Sequence, residues 1–275
     1  MQRMEEIWKA EIVPVVIKST YLKRDVMLSI ILPPGYKQKP YPVLWLNDGQ
    51  DIPSLQLLPT LEKMYLTNTI FPHIVIGIHA NEQRLQEYGT LEMADYNKRG
   101  NKAGYYTEFV INELLPFIQA KYYVSKDPLK NCVAGFSLGA LSAIDIAWNN
   151  PEYFLKVGVF SGSLWWRKRA LNRWYKDDRD RIIHQVIRNS EKREGMRFWF
   201  QAGTNDEPGD RNKNGVIDSI DDTIDLIKEL KYKGYTDHND IEFVLVKNGE
   251  HNQGTWGEMM PQFLQWAFPK AKAEV

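Results

Sequence analysis

A serine between two glycines is the feature of this sequence that points most directly to chemistry. Residues 133–139 read Val-Ala-Gly-Phe-Ser-Leu-Gly, so Gly135 and Gly139 lie two residues on either side of Ser137. Apolar residues predict a buried strand over 131–135 and a helix over 138–149. A tight strand-to-helix turn exposes a hydroxyl at the carboxyl end of a sheet, and the glycines let neighbouring backbone pass without Cβ clashes. We therefore predict that Ser137 is a nucleophile and that the amide of Leu138 points at the developing oxyanion. An ordinary glycine-rich turn is the alternative.

A serine nucleophile needs a general base, which in this architecture follows the serine and an acid along the chain. Of the five histidines, His251 lies in a loop just past the last predicted strand, where a base is expected. The others are His73 and His79, which precede the serine, His184 on a predicted helix and His238 in a polar turn. We therefore predict His251 as the base.

The acid that orients the base should end an earlier strand. The predicted strand 197–202 runs into Gly-Thr-Asn-Asp-Glu, where Asp206 and Glu207 are adjacent and cannot both face inward. Asp206 is favoured because a carboxylate three residues after a glycine suits a tight turn, and Glu207 stays the alternative. A second oxyanion donor is expected in the loop after the third strand, Asn-Asp-Gly-Gln, where the amide of Gln50 is the candidate. An ordinary Asp-Gly turn is the alternative there.

Residues 210–221 follow the spacing of an EF-hand calcium loop. Oxygen ligands fall at positions 1, 3, 5, 9 and 12, glycine at 6, and the backbone carbonyl of position 7 completes the set. The predicted ligands are Asp210, Asn212, Asn214, Val216 (backbone), Asp218 and Asp221. An aspartate instead of glutamate at position 12 predicts weaker binding. We expect a structural Ca²⁺ that stabilises the neighbouring acid loop, and no organic cofactor; an Asp/Asn/Gly turn before a helix, with Asp218 or Ser219 as N-cap, is the alternative.

The elements that must position these residues alternate between strands and helices, as in an α/β fold. Strands are predicted over 11–17, 26–32, 42–46, 73–78, 131–135, 156–160, 197–202 and 241–246, and helices over 107–121, 138–149, 221–233 and 256–267. The first two strands read as an antiparallel pair, and the other six are apolar enough to be buried on both faces. The sequence therefore predicts one domain, 1–275, with an eight-stranded, mostly parallel sheet flanked by helices.

Composition excludes several classes of protein. The 275 residues carry 35 basic and 35 acidic side chains, and this zero net charge argues against nucleic acid or an anionic membrane as partner. One cysteine, Cys132, excludes an intramolecular disulfide and is expected to be a small buried side chain. The charged start of the chain leads into no apolar run, so a cytoplasmic protein is predicted, or an exported one if its natural chain carries a leader. Weak single calcium loops fill at the millimolar Ca²⁺ found outside cells, which would fit export.

Taken together, these residues resemble a family of esterases within the α/β-hydrolases that includes enterochelin esterases, feruloyl esterases, S-formylglutathione hydrolases and mycolyltransferases. The resemblance covers nearly the whole chain. Besides the serine turn and His251, it depends on Asp-Gly-Gln at 48–50, Gly-Ile at 77–78 with Arg84 and Glu-Tyr at 87–88, and Ser-Gly-Ser-Leu-Trp-Trp at 161–166. It implies an α/β-hydrolase fold and a substrate pocket lined by Trp165 and Trp166, whose alternative is core packing. Residues 84, 87 and 88 are expected to form a structural, salt-bridged loop.

The expected function is therefore a serine esterase that hydrolyses a carboxylic ester or thioester through an acyl-enzyme, with a small-molecule or sugar ester as substrate. The neutral charge balance favours neutral esters over highly anionic ones. Two alternatives are an acyltransferase on the same scaffold and a catalytically silent, calcium-stabilised carbohydrate-binding domain that uses the tryptophans.

Overall fold

One eight-stranded sheet organises the molecule, in a computed structural model that describes residues 9–270. The strands are β1 (Glu11–Ser19), β2 (Arg24–Leu32), β3 (Val43–Asn47), β4 (Ile74–Ile78), β5 (Asn131–Phe136), β6 (Lys156–Phe160), β7 (Arg197–Asn205) and β8 (Ile241–Glu250). Their order across the sheet is β1-β2-β4-β3-β5-β6-β7-β8. β1 pairs antiparallel with β2 and β2 antiparallel with β4, whereas all the other neighbours are parallel. The prediction of a mostly parallel sheet with an antiparallel opening pair is confirmed.

Helices cover both faces of this sheet. They are α1 (Leu57–Leu66), α2 (Arg84–Glu87), α3 (Ala103–Glu108), α4 (Leu115–Lys121), α5 (Leu138–Asn149), α6 (Asp177–Asp180), α7 (Ile182–Asn189), α8 (Asp218–Tyr232) and α9 (Gln253–Ala267). Short 3₁₀ segments cover Gly49–Asp51 and Pro128–Lys130. Residues 1–6, on which the expectation about a secretory signal rests, lie outside the described residues. Within residues 9–270, no helix has the length and apolar character needed to cross a membrane.

Several helix boundaries differ from the sequence prediction; α8, for example, begins at Asp218, three residues before the predicted start. The helix expected over 107–121 is three consecutive segments, because a π-helical stretch, Phe109–Leu114, separates α3 from α4. Pro116 lies in the first turn of α4, lacks an N–H and crowds the carbonyl four residues earlier, which explains the wider turn. α9 begins at Gln253, three residues earlier than predicted, because the Asn252 side chain accepts a hydrogen bond from the amide of Thr255 at 3.0 Å. α1 was not predicted.

The core lies on both sides of the sheet, and the central strands show why their sequences are continuously apolar. Along β3, Val43 and Trp45 belong to one buried cluster, while Leu44 and Leu46 belong to the cluster on the opposite face. The tryptophans expected in the core, Trp45, Trp148 and Trp199, are at most 2% exposed. Cys132 is fully buried, as expected. This packing holds the carboxyl ends of β3, β5, β6, β7 and β8 at one edge.

Candidate active site

Ser137 lies at the turn between β5 and α5, in a backbone conformation that few residues adopt. Its φ of 54° and ψ of −120° place a non-glycine residue in the left-handed half of the map. A Cβ on Gly135 would overlap the carbonyl of Gly139, and a Cβ on Gly139 would lie 2.5 Å from Asp48 Oδ2. The two glycines are therefore required by close backbone and side-chain approach, as the sequence predicts.

Hydrogen bonds to neighbouring strands hold this turn in place. The amide of Ser137 donates to the carbonyl of Phe160 at 2.9 Å, and its carbonyl accepts from the amide of Ser163 at 3.0 Å. The Oγ atoms of Ser137 and Ser163 are 3.4 Å apart. Leu138 is the first residue of α5, so its amide is one of the N–H groups that a helix start leaves without an intrahelical acceptor. An oxyanion next to Ser137 would find this donor.

Asp206 and His251 face each other across the end of the sheet. The side chain of Asp206 has no exposed surface, and its Oδ1 lies 4.0 Å from Nδ1 of His251, whose side chain is 37% exposed. Asp206 Oδ2 accepts from the amide of Gly203 at 2.9 Å, and Oδ1 accepts from the hydroxyl of Ser161 at 2.9 Å. Burial raises the pKa of Asp206, while these two hydrogen bonds and the charge of His251 oppose that rise. Of the two candidate acids, Asp206 is the one directed at the histidine.

Glu207 lies beside this pair without approaching the His251 ring in the same way. Its Oε1 is buried and has no hydrogen-bond partner within residues 9–270. Burial raises the pKa of Glu207, and the nearby carboxylates of Asp218, Asp222 and Asp206 raise it further. A carboxylate in this setting gains a proton more easily than an ordinary glutamate.

The environment of His251 favours its neutral form. Burial lowers the pKa of His251 and the positive charge of Arg84 lowers it further, while the carboxylate of Asp206 acts in the opposite direction. Its ring packs edge-to-face on Trp256, with 5.2 Å between ring centroids and an interplanar angle of 79°. A neutral imidazole that faces a buried carboxylate can accept a proton at its other nitrogen.

Ser137, Asp206 and His251 line one cavity of about 250 Å³, so the structure brings the three residues predicted from the sequence to one place. Trp165 and Glu207 line the same cavity. A second cavity of about 330 Å³ shares Trp165 and Glu207 with the first. Its other lining residues are Tyr96, Asn97, Arg99, Arg167, Leu171 and Asp218.

The expectation that both consecutive tryptophans line the pocket needs correction. Trp166 has no exposed surface and belongs to the hydrophobic core, where its ring packs against Gly89 and Gly100. Trp165, in contrast, lines both cavities. The two residues lie at a turn with 5.8 Å between their ring centroids, and only Trp165 reaches the cavity surface.

Gln50 lies in the 3₁₀ turn after β3, where the second oxyanion donor was expected. Its side chain is held in place, since Oε1 accepts from the amide of Ala80 at 2.9 Å and Nε2 donates to Asp48 Oδ1 at 3.2 Å. A Cβ on Gly49 would overlap the backbone of Gly77, which explains the glycine. As the second residue of a short helical turn, Gln50 presents an amide from the unsatisfied helix start.

Asp48 has a structural role that the sequence did not reveal. Its buried carboxylate forms a bidentate ion pair with Arg84, at 2.7 Å from Nε to Oδ1 and 2.8 Å from Nη2 to Oδ2. The amide of Asp48 donates to the hydroxyl of Tyr88 at 3.2 Å, and Glu87 pairs with Arg24 at 2.6 Å. The expected salt-bridged loop is therefore present, and Asp48 connects it to the turn that carries Gln50.

The loop over 210–221 curls as its spacing predicts. The carboxylate of Asp210 accepts from the amides of Asn214 at 3.1 Å and Gly215 at 2.9 Å, and Gly215 has a φ of 86°. The side-chain Nδ2 groups of Asn212 and Asn214 both donate to Asp221 Oδ2, at 2.9 and 2.7 Å. Asp210, Asn212, Asn214 and Asp221 are thus connected by hydrogen bonds, and the Oδ1 atoms of the two asparagines accept from the backbone N–H groups of residues 214 and 216.

Two features limit this candidate metal site. Asp218 Oδ1 accepts from the amide of Arg211 at 2.9 Å and pairs with its guanidinium at 3.2 Å, so this ligand is partly engaged. In the part of the chain that the structure describes, no group of three or more His, Cys, Asp or Glu side chains is placed to hold a metal ion. Two of the candidate ligands are asparagines and one is the Val216 carbonyl, which lie outside those residue types.

Known proteins resemble this chain in sequence and in fold. The sequence profile of the family described as "Putative esterase" matches residues 19–267. A protein of Bacillus subtilis (strain 168), "Uncharacterized protein YbbA", is 23% identical over 252 residues, which cover 89% of this chain and 93% of that protein.

Solved structures show the same fold. A ferulic acid esterase has a TM-score of 0.72 at 17% identity, covering 94% of this chain and 98% of the other. The enterobactin esterase FES from Shigella flexneri, solved in the presence of enterobactin, has a TM-score of 0.71 at 21% identity, covering 94% of this chain and 58% of the other. These likenesses show an α/β-hydrolase fold, and the family supports an esterase or hydrolase function. Since the profile spans most of its length, the chain belongs to the "Putative esterase" family.

Proposed function

We propose that this protein is a serine esterase that works through an acyl-enzyme. His251 takes the proton of the Ser137 hydroxyl as the serine oxygen attacks the ester carbonyl, and it then gives that proton to the leaving alcohol or thiol. Water repeats the sequence: His251 takes one of its protons, the hydroxide attacks the acyl carbon, and Ser137 leaves with the proton. Asp206 orients the imidazole and stabilises the imidazolium in both halves of the reaction.

The oxyanion of each tetrahedral intermediate would be held by the amides of Leu138 and Gln50. Both belong to helix starts, whose free N–H groups and dipole favour negative charge. The ion pair between Asp48 and Arg84, together with the Gln50 side-chain bonds, fixes one of these donors before substrate arrives. Donors fixed in advance cost no reorganisation in the transition state.

A single observation carries the proposal. Ser137, Asp206 and His251 come from three different strand ends, yet they line one cavity of about 250 Å³ with Asp206 Oδ1 directed at the His251 ring. Ser137 is also held at a φ of 54° and a ψ of −120°, and strained conformations of this kind cluster at active sites.

The adjoining cavity is the proposed binding site for the larger part of the substrate. Trp165 lines both cavities, and the guanidinium groups of Arg99 and Arg167, which line the second cavity, lie 5.1 and 5.7 Å from the Trp165 ring centroid. The names of two structural neighbours, a ferulic acid esterase and an enterobactin esterase, suggest which esters to try first. We therefore propose a small-molecule or sugar ester as substrate.

The test compares wild type with Ser137→Ala on a chromogenic acetate ester, followed by feruloyl, acetylated-sugar and siderophore esters. We expect the alanine variant to lose at least about 10³-fold in kcat while it keeps the wild-type melting temperature. Full activity in Ser137→Ala would refute the mechanism. Wild type that hydrolyses none of these esters but binds sugars would favour a silent carbohydrate-binding domain.

We also propose that the loop over 210–221 binds a structural Ca²⁺. Support comes from the six ligand positions and from the hydrogen bonds that connect Asp210, Asn212, Asn214 and Asp221. The loop begins four residues after Asp206, so an ion there would stiffen the segment that carries the acid. Calorimetric titration of chelator-treated protein should show binding that Asp210→Ala abolishes, with a rise in melting temperature for wild type alone. If chelation changes neither melting temperature nor esterase rate, the calcium proposal is wrong.

A further inference from the structure

Asp206 accepts a hydrogen bond from Ser161, a residue to which the proposed mechanism gives no role. Ser161 directly follows β6, is 2% exposed, and donates its hydroxyl to Asp206 Oδ1 at 2.9 Å. The same oxygen lies 4.0 Å from His251 Nδ1. Ser161 therefore touches the atom through which the acid would act on the base.

The direction of this hydrogen bond is fixed by the ionised carboxylate, which can only accept, and a tryptophan donates to the same serine oxygen. Trp256 Nε1 lies 2.9 Å from Ser161 Oγ, and an indole N–H can only donate. The hydroxyl thus accepts from Trp256 and keeps its own proton to donate. Asp206 Oδ1 at 2.9 Å is closer than the alternative, Gln201 Oε1 at 3.4 Å.

Trp256 also contacts the base directly. Its ring packs edge-to-face on His251, and on its other side it stacks with Phe136, with 5.0 Å between centroids and an interplanar angle of 23°. Phe136 is the residue immediately before the nucleophile. The buried Trp256 ring thus contacts His251 directly, and its N–H is connected to Asp206 through the Ser161 hydroxyl.

The backbone of Ser161 is held in an unusual conformation that serves this geometry. Its φ is 43°, a left-handed value for a residue with a side chain, and its amide donates to the carbonyl of Gln201 at 2.8 Å. A conformation of this cost persists where the surrounding structure requires it. Here it directs the hydroxyl of Ser161 between Trp256 and Asp206.

We propose that Ser161 and Trp256 are positioning residues of the active site, forming a donor chain from Trp256 Nε1 through Ser161 Oγ to Asp206 Oδ1 that keeps the acid ionised and aimed at His251. This inference rests on the proposed esterase function. Each member has a distinct role: the indole N–H holds the hydroxyl oxygen in place, and the hydroxyl stabilises the carboxylate.

The activities of two conservative variants test this donor chain. Ser161→Ala should lower kcat about tenfold, since a charge-assisted hydrogen bond to Asp206 is lost. Because Ser161 also lines the cavity, the variant's KM should change less than its kcat. It should also move the acidic limb of the rate profile to higher pH, because the acid–base pair then holds its proton more tightly. Trp256→Phe keeps a ring against His251 but removes the donor, and should show the same changes to a smaller degree. The double variant should lose no more than about the larger single effect.

Trp199→Phe is the matched control. Trp199 is 1% exposed and packs against Phe263 in the same buried cluster as Trp256, but its Nε1 has no hydrogen-bond partner within residues 9–270. This variant should retain wild-type kcat and the wild-type pH profile. Melting temperatures of all variants separate loss of fold from loss of alignment.

A second measurement needs no substrate. The His251 ring can be titrated by NMR in wild type and in Ser161→Ala, and the variant should titrate at higher pH. An unchanged titration midpoint, or a kcat loss that Trp199→Phe matches, would overturn the donor chain. If wild type hydrolyses no ester, the proposed function fails, while the titration still decides whether Ser161 acts on the acid–base pair.

Discussion

The two adjacent carboxylates at the end of β7 allow a sharp test of which one is the acid. Asp206→Asn and Glu207→Gln each remove one negative charge while nearly conserving shape. Asp206 has no exposed side-chain surface and faces His251 at 4.0 Å, whereas Glu207 lines the cavity beside it. We expect a large loss of activity for Asp206→Asn and a small one for Glu207→Gln.

The magnitude follows from the separation of Asp206 and His251. Two unit charges about 4 Å apart interact by roughly 4 kcal/mol at an effective dielectric constant of 20. Because His251 becomes positively charged only during the reaction, this stabilisation belongs to the transition state, and its loss corresponds to about 10³-fold in kcat. Ser161 and Gly203 both donate hydrogen bonds to the native carboxylate of Asp206. In Asp206→Asn the side-chain NH₂, itself a donor, would have to face one of these two donors.

The assay is hydrolysis of a chromogenic acetate at saturating concentration, with circular dichroism and melting temperature as checks of folding. We expect Asp206→Asn to lose roughly 10³-fold in kcat and Glu207→Gln less than tenfold. The reversed result, with a folded Asp206→Asn protein near wild-type activity and an inactive Glu207→Gln, would refute the assignment of the acid and the electrostatic argument together.

Three further predictions concern pH and the consecutive tryptophans. Since burial lowers the pKa of His251, kcat/KM should rise with pH through a midpoint below the ordinary value of about 6.5, and a midpoint above 7 in the rate profile would contradict this. Burial raises the pKa of Asp145, in α5, to about 7, so the folded state keeps a proton that the unfolded state releases near pH 4. As the pH rises between these two values, the free energy of unfolding should therefore fall by up to roughly 1.4 kcal/mol per pH unit. Asp145→Asn should remove that part of the fall, as urea unfolding at pH 5 and pH 8 would show, whereas parallel losses in both proteins would count against it. Trp165→Ala should raise KM with little loss of stability, because Trp165 lines the cavity. Trp166→Ala should instead lower the free energy of unfolding by about 3–5 kcal/mol, because Trp166 is fully buried. Equal effects of the two variants on KM would contradict the different positions given to these residues.

Much of the fold was predictable because its signals are local. The serine turn is specified by residues within a seven-residue segment, and the apolar runs of the central strands reflect burial on both faces. Where prediction was wrong, a local signal had been missed. Pro116 lies early in α4 after the π-helical segment, and Asn252 starts α9 three residues before the apolar pattern suggests.

The candidate site was harder to derive, because adjacent residues share a sequence context but not an environment. Trp165 and Trp166 are chemically identical, yet one lines a cavity and the other is fully buried. Asp206 and Glu207 follow the same strand, and only the pairing of β7 with β8 determines which of them meets His251.

The sequence by itself therefore determined the candidate nucleophile, the candidate base, their order along the chain and the type of sheet that presents them, since each depends on short-range spacing and hydrophobic pattern. The tertiary structure alone decided which carboxylate faces the histidine and which tryptophan faces the cavity. It also revealed the chain from Trp256 through Ser161 to Asp206, whose members are separated by 95 and 45 residues. Such contacts form only when strand ends from distant parts of the sequence are packed at one edge of a sheet, and no local pattern encodes them.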